Sequence, residues 1–140
     1  MSPFSQFLHD LRMRRDLRQA DLAELLGYEQ SYISALEVGL KGPPTNEFLD
    51  RLIQALALST SEQHDLRAVS HASQRKLVIE PDAPPDIYWL LTELRDKLPR
   101  LSPSQVRIIR EVLGMRAGLA DERTEPVRRL KRRRKEEATM

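Results

Sequence analysis

The sequence predicts an all-α chain: five helices in an N-terminal domain, two in a C-terminal extension, then a disordered basic tail. Three observations lead there. Apolar residues recur every three or four positions, the spacing of one helix face. Only 5 of 140 residues are glycine and only 5% are aromatic, a poor composition for a sheet. Capping residues stand where helices would begin, and glycines or prolines where they would stop.

Ser2-Pro3 opens helix 1, with proline at the first helical position, where its missing donor is no loss. Phe4, Phe7, Leu8 and Leu11 then share a stripe, carrying the helix to about Arg15. Helix 2 runs from Gln19 to Leu26, buries Leu22, Ala23 and Leu26, and stops at Gly27. Helix 3 runs from about Gln30 to Val38, with Ile33 and Leu36 inward and Gly39 as its stop. Leu40 to Pro44 form a loop. Thr45 caps helix 4, whose stripe is Phe48, Leu49, Leu52, Ile53 and Leu56. Ser59 and Glu62 fit a capping box, each satisfying the other's backbone donor. Helix 5 follows to about Gln74 on a thin stripe of Leu66 and Val69.

Leu77-Val78-Ile79 suits a short extended piece, and residues 77–85 a proline-rich linker between a domain at 1–76 and an extension at 86–118. Helix 6, Asp86 to Leu98, carries Ile87, Leu90, Leu91, Leu94 and Leu98 on one side. Ser102 and Gln105 form a second capping box, and helix 7 carries Val106, Ile109, Val112 and Leu113 to about Ala117. Residues 119–140 hold few apolar side chains and are expected to be disordered.

Composition excludes several classes of chemistry. With no cysteine there is no disulfide, thiolate–zinc site or cysteine nucleophile. No stretch approaches the roughly 18–20 apolar residues of a membrane span, and the start lacks a secretory signal, so a cytoplasmic location is expected. His64 and His71 share a helix face, but no further ligands converge with them, and solvent exposure is the expectation. No catalytic set or phosphate-binding loop stands out, so we expect no enzyme activity, metal or cofactor. The first 120 residues carry 15 basic and 16 acidic side chains, the last 20 carry 8 and 5. The sequence pI near 9.1 therefore belongs to the tail.

The sharpest signal is residues 19–39, QADLAELLGYEQSYISALEVG. Two short amphipathic helices with only a glycine and two or three residues between them must cross steeply, and Ala23 lets them approach. With Ile33 and Leu36 inward, Gln30, Ser31, Tyr32, Ser34 and Ala35 remain outside. Amides, hydroxyls, a phenol and a methyl suit the base edges of a major groove. The alternative is an ordinary helical hairpin.

Gln19, Leu22-Ala23, Leu26-Gly27, Gln30, Ile33-Ser34, Leu36-Glu37 and Gly39 together resemble the Xre/Cro-type helix-turn-helix family, the fold of the lambdoid phage repressors. The likeness extends over roughly residues 4–58 and implies a repressor-like DNA-binding domain. It implies that helix 3 enters the major groove with Gln30, Ser31, Tyr32, Ser34 and Ala35 as the base-reading face. Gln19, at the start of helix 2, becomes a phosphate contact. Arg12 and Glu37 match a pair in which helix 1 meets the end of the recognition helix; the alternative is a solvated pair worth about 0–1 kcal/mol. Arg14, Arg15, Arg18 and Lys41 could touch phosphates or form a solvated charge run.

Helices 6 and 7 carry more apolar surface than one hairpin hides. A homodimer interface at Leu90, Leu94 and Ile109, joined by Tyr88 and Trp89, accounts for it, with packing onto the first domain as the alternative. The tail either adds nonspecific DNA affinity or solubilises the end. The expected function is a sequence-specific regulator of transcription, a repressor holding an inverted-repeat operator on double-stranded DNA as a homodimer. The alternative is an antitoxin-like module that binds a protein partner through helices 5–7 while its first domain autoregulates the operon.

Overall fold

The structure, a computed structural model, describes residues 1–115. Among these residues it is all-helical: α1 (Pro3–Arg14), α2 (Gln19–Leu26), α3 (Gln30–Val38), α4 (Asn46–Leu56), α5 (Thr60–Ala72), α6 (Pro85–Lys97) and α7 (Pro103–Leu113). A first compact unit spans Met1–Leu77 and a second begins at Val78. The end of the expected extension (116–118) and the basic tail lie outside the described residues.

The first unit forms because five short helices each bury one stripe in a common core. Phe4, Leu8 and Leu11 of α1, Leu22, Ala23 and Leu26 of α2, and Ile33 and Leu36 of α3 are all buried. Phe48, Leu49, Leu52 and Leu56 of α4 close the cluster with Leu58 and Leu66. Each of these Phe, Leu and Ile side chains contributes about 1.5–3 kcal/mol by leaving water. The helix starts are satisfied locally. Ser2 Oγ accepts from the Ser5 N–H at 3.1 Å, Thr45 Oγ1 from Phe48 at 3.2 Å, and Ser59 Oγ from Glu62 at 3.1 Å.

Helix 5 stays in place despite its thin stripe because polar contacts supplement Leu66. It ends at Ala72, two residues before the expected Gln74. Ser73 Oγ then accepts from the Phe4 N–H at 2.8 Å and donates to the Val69 carbonyl at 2.6 Å. Beyond it, Arg75 donates to the Gly39 carbonyl, so the chain after α5 secures the end of α3.

In the second unit α6 begins at Pro85, one residue before the expected Asp86, and ends at Lys97. Pro99 lacks a backbone donor, so the α-helical hydrogen-bond ladder is interrupted there and Leu98–Arg100 form a single 3-10 turn. Ser102 and Gln105 form the expected box, with Oγ accepting from the Gln105 N–H at 3.2 Å. Helix α7 stops at Leu113, short of the expected Ala117, with Gly114 as its cap. No side chain of α6 or α7 is buried. Residues 77–79 belong to no strand, and no strand occurs among the described residues.

Candidate nucleic-acid interface

The turn between α2 and α3 depends on one backbone conformation. Gly27 is left-handed (φ 75°, ψ 29°), a region open to glycine at little cost. The Tyr28 N–H returns to the Ala23 carbonyl at 3.0 Å, closing α2, and only Tyr28 and Glu29 precede α3. Ala23 is 4% exposed at the place where its small size is needed. Gly39, also left-handed at φ 83°, ends α3.

Helix α3 turns Ile33, Leu36 and Glu37 inward. Gln30 and Ser31 are exposed on the other side, with Ser34 and Ala35 half-buried beside them. At 100° per residue these four fall within an arc of about 140°. Val38, 56% exposed, lies in the same arc and extends it with an apolar surface that the sequence argument passed over. Glu29 stands at the N-cap but makes no side-chain cap bond.

Tyr32 does not join this arc. It points about 160° away from Gln30 and is half-buried. Its ring stacks on Tyr28 with centroids 5.2 Å apart and meets Phe48 edge-on at 5.8 Å. Burial, with a smaller push from Tyr28, raises the Tyr32 phenol above its ordinary value, so it stays neutral. Lys41 Nζ lies 5.7 Å from the ring centroid. An open cleft of 620 Å³ runs from Ser31 and Ala35 past Tyr32 and Lys41 to Thr45 and Glu47.

The inner end of α3 is held by charge. Arg12 Nε donates to Glu37 Oε2 at 2.9 Å and Nη2 to Oε1 at 3.0 Å, while Nη1 reaches the Leu17 carbonyl at 2.8 Å. His9 Nδ1 adds a contact with Glu37 Oε1 at 3.0 Å. Burial by itself would raise the Glu37 carboxyl, but hydrogen bonds from Arg12 and then His9 outweigh it and hold the group below its ordinary value. Arg12 and Glu37 side chains are only 11% and 4% exposed, so this is no solvated surface pair.

The candidate phosphate contacts differ in freedom. Gln19 is half-buried in the first turn of α2, while Arg14 and Lys41 are exposed. Arg18 forks onto Asp21, Nε–Oδ2 3.1 Å and Nη2–Oδ1 3.2 Å, and Asp21 accepts the Arg18 N–H in turn. Those hydrogen bonds lower Asp21 and raise Arg18. The pair is exposed and so exchanges readily for another anion. Arg15 is taken: it donates to the Leu56 carbonyl at 2.6 Å and reaches Glu62 at 3.4 Å, closing the end of α4.

Two contributors escaped the sequence argument. Arg51 donates to the Leu26 carbonyl at 3.1 Å and covers the Tyr28 ring at 5.1 Å, so α4 clamps the turn. His9 joins the Arg12–Glu37 pair from the next turn of α1. Neither is signalled by a local pattern, since each partner is remote in sequence.

Two short crossing helices, a left-handed glycine between them and an unpaired polar face on the second define a helix-turn-helix unit, a DNA-binding class. Residues 3–66 match the family model described as a helix-turn-helix domain. The match spans four helices and the start of α5, and is consistent with the Xre type. No curated protein and no solved structure matches the chain. Among the described residues no helix is long and apolar enough to cross a membrane, and no group of three or more acidic or histidine side chains is placed to hold a metal.

Proposed function

We propose that the chain is a sequence-specific transcriptional repressor of the cytoplasm, without enzyme activity, that holds an inverted-repeat operator as a homodimer. The outer arc of α3 is the single observation carrying this. Gln30, Ser31, Ser34 and Ala35 offer amide, hydroxyl and methyl groups on one exposed side, free of any carboxylate within the arc. Major-groove base edges present the complementary donors, acceptors and thymine methyls. In this reading Tyr32 buttresses α3 from its margin and does not read bases. Gln19, Arg14, Arg18 and Lys41 meet the flanking phosphates and fix the register.

The homodimer is supported by the second unit. Leu90 and Leu94 of α6 face Gln105, Ile108 and Ile109 of α7 across an open cleft of 290 Å³. Leu90 is 55%, Ile108 59% and Ile109 38% exposed, apolar surface that a second copy would cover. Two-fold pairing places half-sites about one helical turn apart, roughly 34 Å. Selection of bound sequences from a random duplex library tests the proposal. A palindromic consensus with that spacing supports it, and retention of every sequence alike contradicts it.

A further inference from the structure

Helix α6 presents two faces of different chemistry. Ile87, Leu90, Leu91 and Leu94 make the apolar stripe, and Leu90 and Leu94 line the cleft with α7. Trp89 stands about 140–160° round the helix from Leu94 and Ile87, and is 68% exposed. Asp86, Glu93 and Asp96 lie three, four and seven positions from it, within about 60° of its direction, with Glu93 at the border where it also edges the cleft beside Lys97. All are exposed, and none takes part in an ion pair among the described residues.

We propose that this Trp89 face is a docking site for the chain's own basic segment, residues 128–135. Seven of those eight positions are Arg or Lys, against three unpaired carboxylates and an indole. Guanidinium and ammonium groups pair with carboxylates and settle on an indole face, so one short basic peptide satisfies both features. Phosphate does not: the carboxylates repel it, and the face is unsuited to nucleic acid.

Reach is sufficient. Ile109 lines the same cleft as Leu90, so α7 runs back toward the start of α6. Twelve residues separate Met115 from Arg128. At up to about 3.3–3.6 Å each they span roughly 40 Å, whereas α6 is about 20 Å long. Tethering supplies an effective concentration of millimolar order, so weak individual pairs suffice. A tail held this way is withheld from phosphates until salt or a polyanion competes for it. The inference goes beyond operator reading and does not depend on it.

Trp89 is the only tryptophan, so its fluorescence reports on the site directly. The test is acrylamide quenching of the full chain and of a chain ending at Glu125. At low salt the full chain should be quenched about twofold less, and the two should converge near roughly 0.5 M salt. Glu93→Gln with Asp96→Asn, the tail intact, should be quenched like the shortened chain. Adding a peptide of residues 126–140 to the shortened chain should restore protection. Equal quenching of the two chains at low salt overturns the proposal, and covers the case of a second copy shielding Trp89. Protection that survives neutralisation of both carboxylates overturns it equally.

Discussion

Arg12 grips Glu37 through two parallel hydrogen bonds, 2.9 and 3.0 Å, and so ties the last turn of α3 to α1. This pair anchors α3 beside the Gln30 edge of its outer arc. Removing one member leaves the other charged and shielded from water. Glu37→Ala should therefore destabilise the first unit by about 3 kcal/mol, read as a lower denaturant midpoint. Arg12→Met combined with Glu37→Leu should recover part of that loss, since the pair's removal leaves no orphan charge.

The same carboxylate gives a pH dependence with a definite sign. Glu37 is held below its ordinary value of 4.5 in the folded state. Its contribution is fully present above the unfolded value, and is lost as pH falls through the lower folded one. Thermal unfolding should show the midpoint of wild type falling more steeply below about pH 4.5 than that of Glu37→Gln. Parallel curves for the two proteins would contradict the assignment.

Ala57 ends α4 in the left-handed region at φ 47°, ψ 55°, and is exposed. A side chain there opposes the following carbonyl, at about 1–2 kcal/mol, partly offset by the greater freedom of glycine in the unfolded chain. Ala57→Gly should raise stability by up to about 1 kcal/mol, checked by chemical denaturation. A fall would mean that the turn is held differently.

Leu94→Glu places a carboxylate among Leu90, Leu101 and Ile109 in the cleft between α6 and α7, on the apolar surface that a second copy would cover. Sedimentation should show monomers at concentrations where the parent is dimeric, with the helical content of the first unit retained. A dimer of unchanged affinity would remove the second unit from the interface.

Most of the fold is legible in the sequence because its signals are local. Ser2-Pro3, Gly27, Gly39, Thr45 and the Ser59–Glu62 box act within a turn of the residues they organise, and the helix limits follow them closely. What escapes depends on distant partners. Ser73 binds across 69 positions to Phe4, Arg51 across 25 to Leu26, and no window of sequence contains both ends. Tyr32 stands half-buried at the margin of the exposed face, its ring packed on Tyr28 and Phe48. Helical spacing separates Tyr32 from Gln30, yet only the packed ring shows which side it takes.

The central claim is that α3 reads bases while α2 only positions the protein. Gln30 and Gln19 both stand in the first turn of a helix, Gln30 exposed on the reading arc and Gln19 half-buried on α2. The deciding measurement is the affinity of Gln30→Ala and Gln19→Ala for every single-base change in the selected operator. Gln30→Ala should relax preference at one symmetric base pair per half-site, a loss of about 1–3 kcal/mol of discrimination. Gln19→Ala should weaken all sites by a similar factor, as loss of a phosphate contact does. If Gln30→Ala weakens every site uniformly, with no position singled out, α3 is not the reading helix.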